Sequence, residues 1–216
     1  VSRDGMFAEI ECEKPLWPLL DVTGQMPLPP YIKREGGAET SDSADYQSVF
    51  AKEPGAVAAP TASLHFTPGL NQELENAGVS FAELTLHVGP GTFLPVRPEC
   101  GEDIREHDMH GEIYSIPQST VDLIHETKKK GGRVIPVGTT ALRTLETWAR
   151  TGEQKGESKL FLYPGQELMM ADGLITNFHL PGSTLIMLVA AILGVERTQA
   201  IYAEAVRESY RFFSYG

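Results

Sequence analysis

Hydrophobic and polar positions along the chain switch repeatedly between a period of two and a period near 3.6, so the sequence predicts strands alternating with helices. Met6, Ala8, Ile10 and Cys12 alternate with Phe7, Glu9, Glu11 and Glu13, which predicts one strand with a buried face. Pro15 and Pro18 then interrupt the pattern, and residues 25–31 are too rich in proline for a helix or a central strand. A division follows from this: residues 1–14 as a terminal strand, 15–23 as a linker and 24–216 as one large domain.

Beyond a polar loop over residues 35–45, Tyr46, Val49 and Phe50 fall at helical spacing and predict a short helix ending before Pro54-Gly55. Thr67-Pro68 joins a capping hydroxyl to a proline at the first helical position, and Gly78 closes that helix, with Leu70 and Leu74 facing inward. Strands are expected over 81–88, 93–96 and 113–116, the first ending at Gly89-Pro90-Gly91. Val121, Leu123 and Ile124 mark a helix whose end, Lys128-Lys129-Lys130, suits the negative pole of the dipole. A buried strand over 134–137 runs through Gly138-Thr139-Thr140 into the next helix. A strand over 174–177 precedes helices starting at Ser183 and spanning 198–208. This series argues for an α/β domain with a largely parallel sheet and ligands at the C-terminal ends of its strands.

Composition narrows the classes. With 41% hydrophobic residues in 216, the chain can bury the core of one domain, or of one domain plus a fragment. Cys12 and Cys100 lack the spacing of a disulfide framework or a thiolate zinc site, which fits a reducing, cytoplasmic setting. The apolar run Leu185 to Leu193 is shorter than the roughly 20 residues a spanning helix needs, so no membrane partner is expected. Val1 in place of an initiator Met suggests a truncated beginning. A formal net charge of -11 argues against binding nucleic acid through bulk positive charge. An RNA contact would need a local strip built from Lys128 to Lys130, Arg133, Lys33, Arg34, Arg207 and Arg211.

Three loops combine a histidine with small or aromatic residues: Thr61-Ala62-Ser63-Leu64-His65-Phe66, the stretch from Leu86-His87 to Thr92-Phe93, and Thr176-Asn177-Phe178-His179-Leu180-Pro181. Each histidine alone is more often a hydrogen-bonded core residue than a catalyst, and three such loops together weaken that reading. His107 and His110, spaced i, i+3 among acidic neighbours, could ligate a divalent metal in a hydrolase, or form a polar turn broken at Gly111. Gly138-Thr139-Thr140 offers amides and hydroxyls to an anion, with Arg143 one turn on, or is plain helix capping. Its pattern is not that of a P-loop. Tyr210-Arg211-Phe212-Phe213-Ser214-Tyr215 can stack nucleobases, as in a non-catalytic RNA-binding module, or plug the domain edge.

The same strings stand in a fixed order. Met26-Pro27-Leu28-Pro29-Pro30-Tyr31-Ile32-x-Arg34, Tyr46-Gln47-x-Val49, Gly55 to Ala62 and Leu64-His65-Phe66 come first. Leu84 to Gly89, Gly91-Thr92-Phe93-x-Pro95-Val96, His107-x-Met109-His110, Val137-Gly138-Thr139-Thr140, Asn177 to Pro181 and Tyr210 to Gly216 follow. From Gly24 to the last residue this series resembles the S-adenosylmethionine:tRNA ribosyltransferase-isomerases of queuosine biosynthesis. The resemblance implies a large α/β domain, barrel-like or of mixed sheet, with residues 1–14 as the remnant of an inserted small β-barrel. It implies transfer and isomerisation of the ribosyl unit of S-adenosylmethionine onto 7-aminomethyl-7-deazaguanine in tRNA by a cytoplasmic monomer. S-adenosylmethionine is then a substrate, and no resident cofactor or metal is expected.

Carried onto this sequence, the resemblance implies His65, His110 and His179 as the acid and base group. Arg34, His87, Gly89, Thr92, Thr139, Thr140, Asn177, Phe178, Arg211 and Phe213, within the same strings, are substrate-binding candidates, and Tyr114 and Arg143, outside them, are added for their residue types. Thr139, Thr140 and Arg143 are expected to hold a carboxylate or phosphate, and Tyr114, Phe178 and Phe213 to face a base. His125, outside these strings, is expected to pack or face solvent. Two departures stand out: Ser63 where the family pattern has Gly, with a positive φ in question, and Pro136 where it has a small residue.

Overall fold

The computed structural model of the chain describes residues 2–4, 7–9, 13, 15–25, 27–29, 31–37, 39, 41–56, 58–89 and 109–214. Strands β1 (Ser2–Asp4) and β2 (Phe7–Glu9) pair antiparallel, so the alternating segment turns back on itself where one strand was expected. Met6, Ile10 and Cys12 lie outside the described residues. The segment expected as a linker forms helix α1 (Leu16–Thr23). Its prolines are tolerated because Pro15 precedes the helix and Pro18 falls in the first turn, where amides have no acceptor within the helix.

The helix expected around Tyr46 is displaced and shortened to α2 (Asp42–Asp45), leaving Tyr46 buried just after it. Helix α3 (Pro68–Asn76) begins as its cap predicts, the Leu70 amide donating to Thr67 Oγ1 at 3.1 Å. Its inward face is a correction: Leu70 is exposed and Leu74 only half-buried, because α3 lies on the surface.

Strand β3 (Thr85–His87), strand β4 (Glu112–Ser115), helix α4 (Gln118–Lys129), helix α5 (Thr139–Thr151) and strand β5 (Lys155–Ser158) follow in order. The three strands form one antiparallel sheet in the order β3-β4-β5, with Leu86 opposite Tyr114 and Tyr114 opposite Gly156. The fold is a mixed α/β arrangement, and the expectation of a largely parallel sheet is not met. Among the described residues parallel pairing is limited to the bridge between Val137 and Ile175, in which Ile175 N donates to the Pro136 carbonyl and Gly138 N to the Ile175 carbonyl. Pro136 has no N–H to lengthen that ladder. β5 escaped the sequence pattern because three of its four residues are exposed. The strand expected over 93–96 lies outside the described residues.

Helices α6 (Thr184–Leu193) and α7 (Val195–Arg207) complete the chain. Among the described residues no single helix is long and apolar enough to cross a membrane. α5 is the central element. One side of it puts Leu145 and Trp148 among Leu86, Tyr114, Ile116 and Val121 of the sheet and α4. The other side puts Leu142 among Leu162, Ala171 and Leu188. A helix enclosed on both sides has no wet face, so its polar side chains need partners inside. Glu146, fully buried, accepts hydrogen bonds from the amides of Met169, Met170 and Ala171 at 2.8, 2.9 and 3.0 Å, and from Arg150 at 2.5 Å. Burial alone raises its pKa, but these donors outweigh burial and hold the carboxyl below the usual carboxylate range. Arg143 donates to buried Glu112 at 2.5 Å and to the half-buried Leu160 carbonyl at 3.0 Å.

Glu146→Gln turns one acceptor oxygen into a donor facing amides, and should cost about 3 kcal/mol of stability in urea unfolding, with faster hydrogen exchange at residues 169–171. Arg143→Met removes the guanidinium that donates to buried Glu112, and a loss of about 3–5 kcal/mol is expected in the same measurement.

Candidate functional site

Site geometry begins with the Val137–Ile175 bridge. It sets Thr176 and Asn177 beside Gly138, whose φ of 92° lets the chain turn sharply into α5 and leaves Thr139 and Thr140 at the helix start. Here lies a cavity of about 370 Å³, within the range of pockets that hold a small organic ligand. Its walls come from stretches far apart in sequence: Tyr31, the 58–62 stretch, Val88, the start of α5, residues 176–183 and Phe213.

Thr61, Asn177 and His65 are linked across the cavity edge. Thr61 Oγ1 donates to Asn177 Oδ1 at 3.1 Å, and Asn177 Nδ2 lies 3.2 Å from His65 Nε2. Both Thr61 and His65 belong to one 3-10 turn, Thr61–His65. Ser63 anchors that turn by donating to the Pro60 carbonyl at 2.6 Å and meeting Ser48 Oγ at 2.7 Å. Ser63 does not adopt a positive φ, so serine is accommodated there without strain. Pro136 is likewise at ease, buried with its carbonyl accepting from Ile175.

His179 lines the cavity with Nε2 2.9 Å from Thr176 Oγ1, and its amide donates to Tyr202 Oη at 3.1 Å. Burial lowers its pKa to about 4, so the imidazole is neutral at physiological pH and a weak base. Tyr202, a partner that no motif marks, has its own pKa raised by burial despite that bond. Phe213 adopts a φ of 63°, a left-handed conformation that costs a bulky residue roughly 1 kcal/mol or more. It is held there by stacking on Tyr31 with centroids 4.3 Å apart, and Ser214 beside it lies 2.8 Å from Tyr31 Oη.

Of the sequence candidates, Thr139, Thr140, Asn177, Phe178, His179 and Phe213 line the cavity, and His65 reaches it through Asn177. Others stand elsewhere. Tyr114 is in the core with its hydroxyl on the Glu153 carbonyl, so it cannot face a base. Arg143 points from α5 into its buried pair with Glu112 and is not the cavity's cation. Arg34 forms a forked pair with Asp42 through Nε at 3.1 Å and Nη2 at 2.7 Å. His87 packs against Gly55, where an added Cβ would lie 2.7 Å from its Nδ1. His110 is exposed just before β4, and Gly89 and Arg211 do not line the cavity. Thr92 and His107 lie outside the described residues. His125 is exposed beside Trp148, as expected. The basic strip is largely offset: Lys128 pairs with Asp172, Lys130 with Glu126, and Arg207 with Glu204 and Glu208. Tyr31 and Thr61 were missed as site residues, although both sit inside the strings that carry the resemblance.

The depressed pKa of His179 has a sign that can be measured. Above pH 6.5 the imidazole is neutral in folded and unfolded chains alike, whereas below it the unfolded chain takes up a proton that the folded site refuses until about pH 4. Stability should therefore fall by about 2 kcal/mol from pH 6.5 to 5, and His179→Gln should remove that part of the slope in urea unfolding.

The sequence matches the family described as "Queuosine biosynthesis protein" over residues 2–216. The S-adenosylmethionine:tRNA ribosyltransferase-isomerase of Polynucleobacter necessarius subsp. necessarius is 50% identical over 216 residues, covering 100% of this chain and 61% of that protein. Its namesake from Acidithiobacillus ferrooxidans is 52% identical over 220 residues, covering 100% and 62%. A crystal structure of S-adenosylmethionine tRNA ribosyltransferase from Thermotoga maritima matches with a TM-score of 0.58 and 45% identity, over 72% of this chain and 49% of that one. The chain spans about three fifths of the length of these curated relatives. Matched almost from end to end, it belongs to the queuosine biosynthesis protein family.

Proposed function

We propose that the chain contributes the donor cavity of an S-adenosylmethionine:tRNA ribosyltransferase-isomerase. That activity transfers and isomerises the ribosyl unit onto 7-aminomethyl-7-deazaguanine in tRNA and gives epoxyqueuosine-tRNA, adenine and methionine. The observation that carries this reading is the meeting, around one cavity, of Tyr31, Thr61, Thr139, Asn177 with His179, and Phe213 from five strings of the family pattern. A fold using these strings only for packing would have no cause to gather their polar and aromatic members at one void.

The cavity's chemistry suits the donor. The stacked Tyr31 and Phe213 offer aromatic surface to a purine or to the electron-poor sulfonium. Phe178 is itself enclosed by Tyr202, Tyr210 and Phe212, so it supports that wall more than it stacks on a ligand. The amides and hydroxyls of Thr139 and Thr140 at the start of α5 suit the methionine carboxylate. The reaction removes the C5′ proton beside the sulfonium, releases adenine, admits the exocyclic amine and expels methionine as the epoxide closes. The sulfonium donor itself supplies both leaving groups, so no resident cofactor is needed. His65 and His179 are the proton-handling and hydrogen-bonding groups nearest that chemistry, and His110 belongs to the reading only through its place in the family pattern. In the same reading β1 and β2 belong to an inserted β-barrel, and the protein works as a monomer in the cytoplasm.

Adenine release from S-adenosylmethionine, measured with the full-length protein and tRNA carrying the aminomethyl-deazaguanine, tests this. His65→Ala and His179→Ala should each lower the rate about 100-fold or more, while His125→Ala stays close to wild type. Undiminished release in both of the first two variants would refute the assignment.

A further inference from the structure

His65 and His179 are both oriented by neighbours on one short segment, but by different means. His179 meets a hydroxyl that can donate or accept, so Thr176 leaves its tautomer open. His65 meets a primary amide, and an amide has a fixed polarity once its oxygen is claimed. The Thr61 hydroxyl donates to Asn177 Oδ1, which turns Asn177 Nδ2, a donor only, toward His65 Nε2. Nε2 must then supply its lone pair, and in the neutral ring the proton resides on Nδ1. We propose that Thr61 and Asn177 are positioning residues that hold His65 as its Nδ1–H tautomer, with Nε2 engaged by the amide at the cavity edge and Nδ1–H left as the ring's one donor.

Three features support this arrangement over a chance contact. Thr61 and His65 sit at the two ends of a single 3-10 turn, so both reach the same amide, and that turn is pinned from inside by Ser63 and Ser48. The opposing segment is fixed by the Val137–Ile175 bridge two residues before Asn177. Thr61 and Asn177 also line the cavity, whereas His65 is exposed at its edge, so the amide stands between the cavity and the imidazole and sets the ring's aspect. The inference rests on the proposed function for its purpose, but the tautomer itself is independent of any reaction.

Long-range 15N–1H correlation spectra of the chain, with the His65 signals assigned by loss in His65→Gln, read the tautomer directly. Wild type should show Nε2 as the bare nitrogen and Nδ1 as the protonated one. Asn177→Asp offers only acceptor oxygens and should move the proton to Nε2. Thr61→Val frees the amide to turn over and should give a mixture, and Thr61→Ser should restore the wild-type pattern. A wild-type ring protonated on Nε2, or an unchanged pattern in Asn177→Asp, would overturn the proposal, and the second variant decides should the first not fold. In the full-length protein Thr61→Val and Asn177→Asp should slow adenine release at least tenfold, with Thr61→Ser near wild type. A tautomer shift without any slowing would leave the hydrogen-bond assignment standing and sink the role of His65 in the reaction.

Discussion

The buried carboxylate of Glu146 is the constraint on which the rest of the molecule depends. A glutamate with no exposed surface is costly unless its oxygens are satisfied, and here three successive backbone amides, Met169 to Ala171, satisfy them. One side chain on α5 thus fixes the course of a returning loop that has no regular structure of its own. From Ala171 the chain continues through Asp172, which exchanges hydrogen bonds with Val134, to Ile175 at the parallel bridge and then to Asn177 and His179. The site is placed by a succession of polar contacts leading outward from the middle of α5, more than by the sheet.

That arrangement explains why the cavity carries no cationic side chain among its described lining residues. The arginine nearest in sequence, Arg143, follows the α5 start by one turn, but the helix is enclosed there and the guanidinium is used against Glu112. Under the proposed function, anion recognition falls to main-chain amides and hydroxyls, which are neutral, do not titrate and add little to the desolvation a ligand must overcome. Neutral His179 fits the same design, since a charged imidazole there would lack a counter-ion among the described lining residues.

Much of the element order was legible because it depends on local chemistry. The Thr67-Pro68 cap, the lysine-rich end of α4 and the Gly138 turn into α5 all act within a few residues of where they are read. What was misread depends on distance. Strand direction is set by partners the sequence does not name, so residues 134–137 and 174–177 looked like core strands of a parallel sheet yet share one bridge. Polar β5 is a strand only because β4 lies beside it. Arg143 and Tyr114 were assigned to the site from their residue types, but both face inward, and helical or strand position alone does not reveal which side of an enclosed element meets a void. Tyr31 and Thr61 were missed for the converse reason, since neither carries charge or an obvious reactive atom.

The stacking of Phe213 on Tyr31 joins points almost the whole chain apart, with the adjoining Tyr31–Ser214 contact separated by 183 positions. Closing so long a loop contributes nothing locally and yields its return only when both ends are in place. During synthesis Tyr31 leaves the ribosome long before its partner exists, so the cavity wall is assembled last. α5 and its cores can organise first, and the wall at Tyr31 closes only after Phe213 and Ser214 have been made.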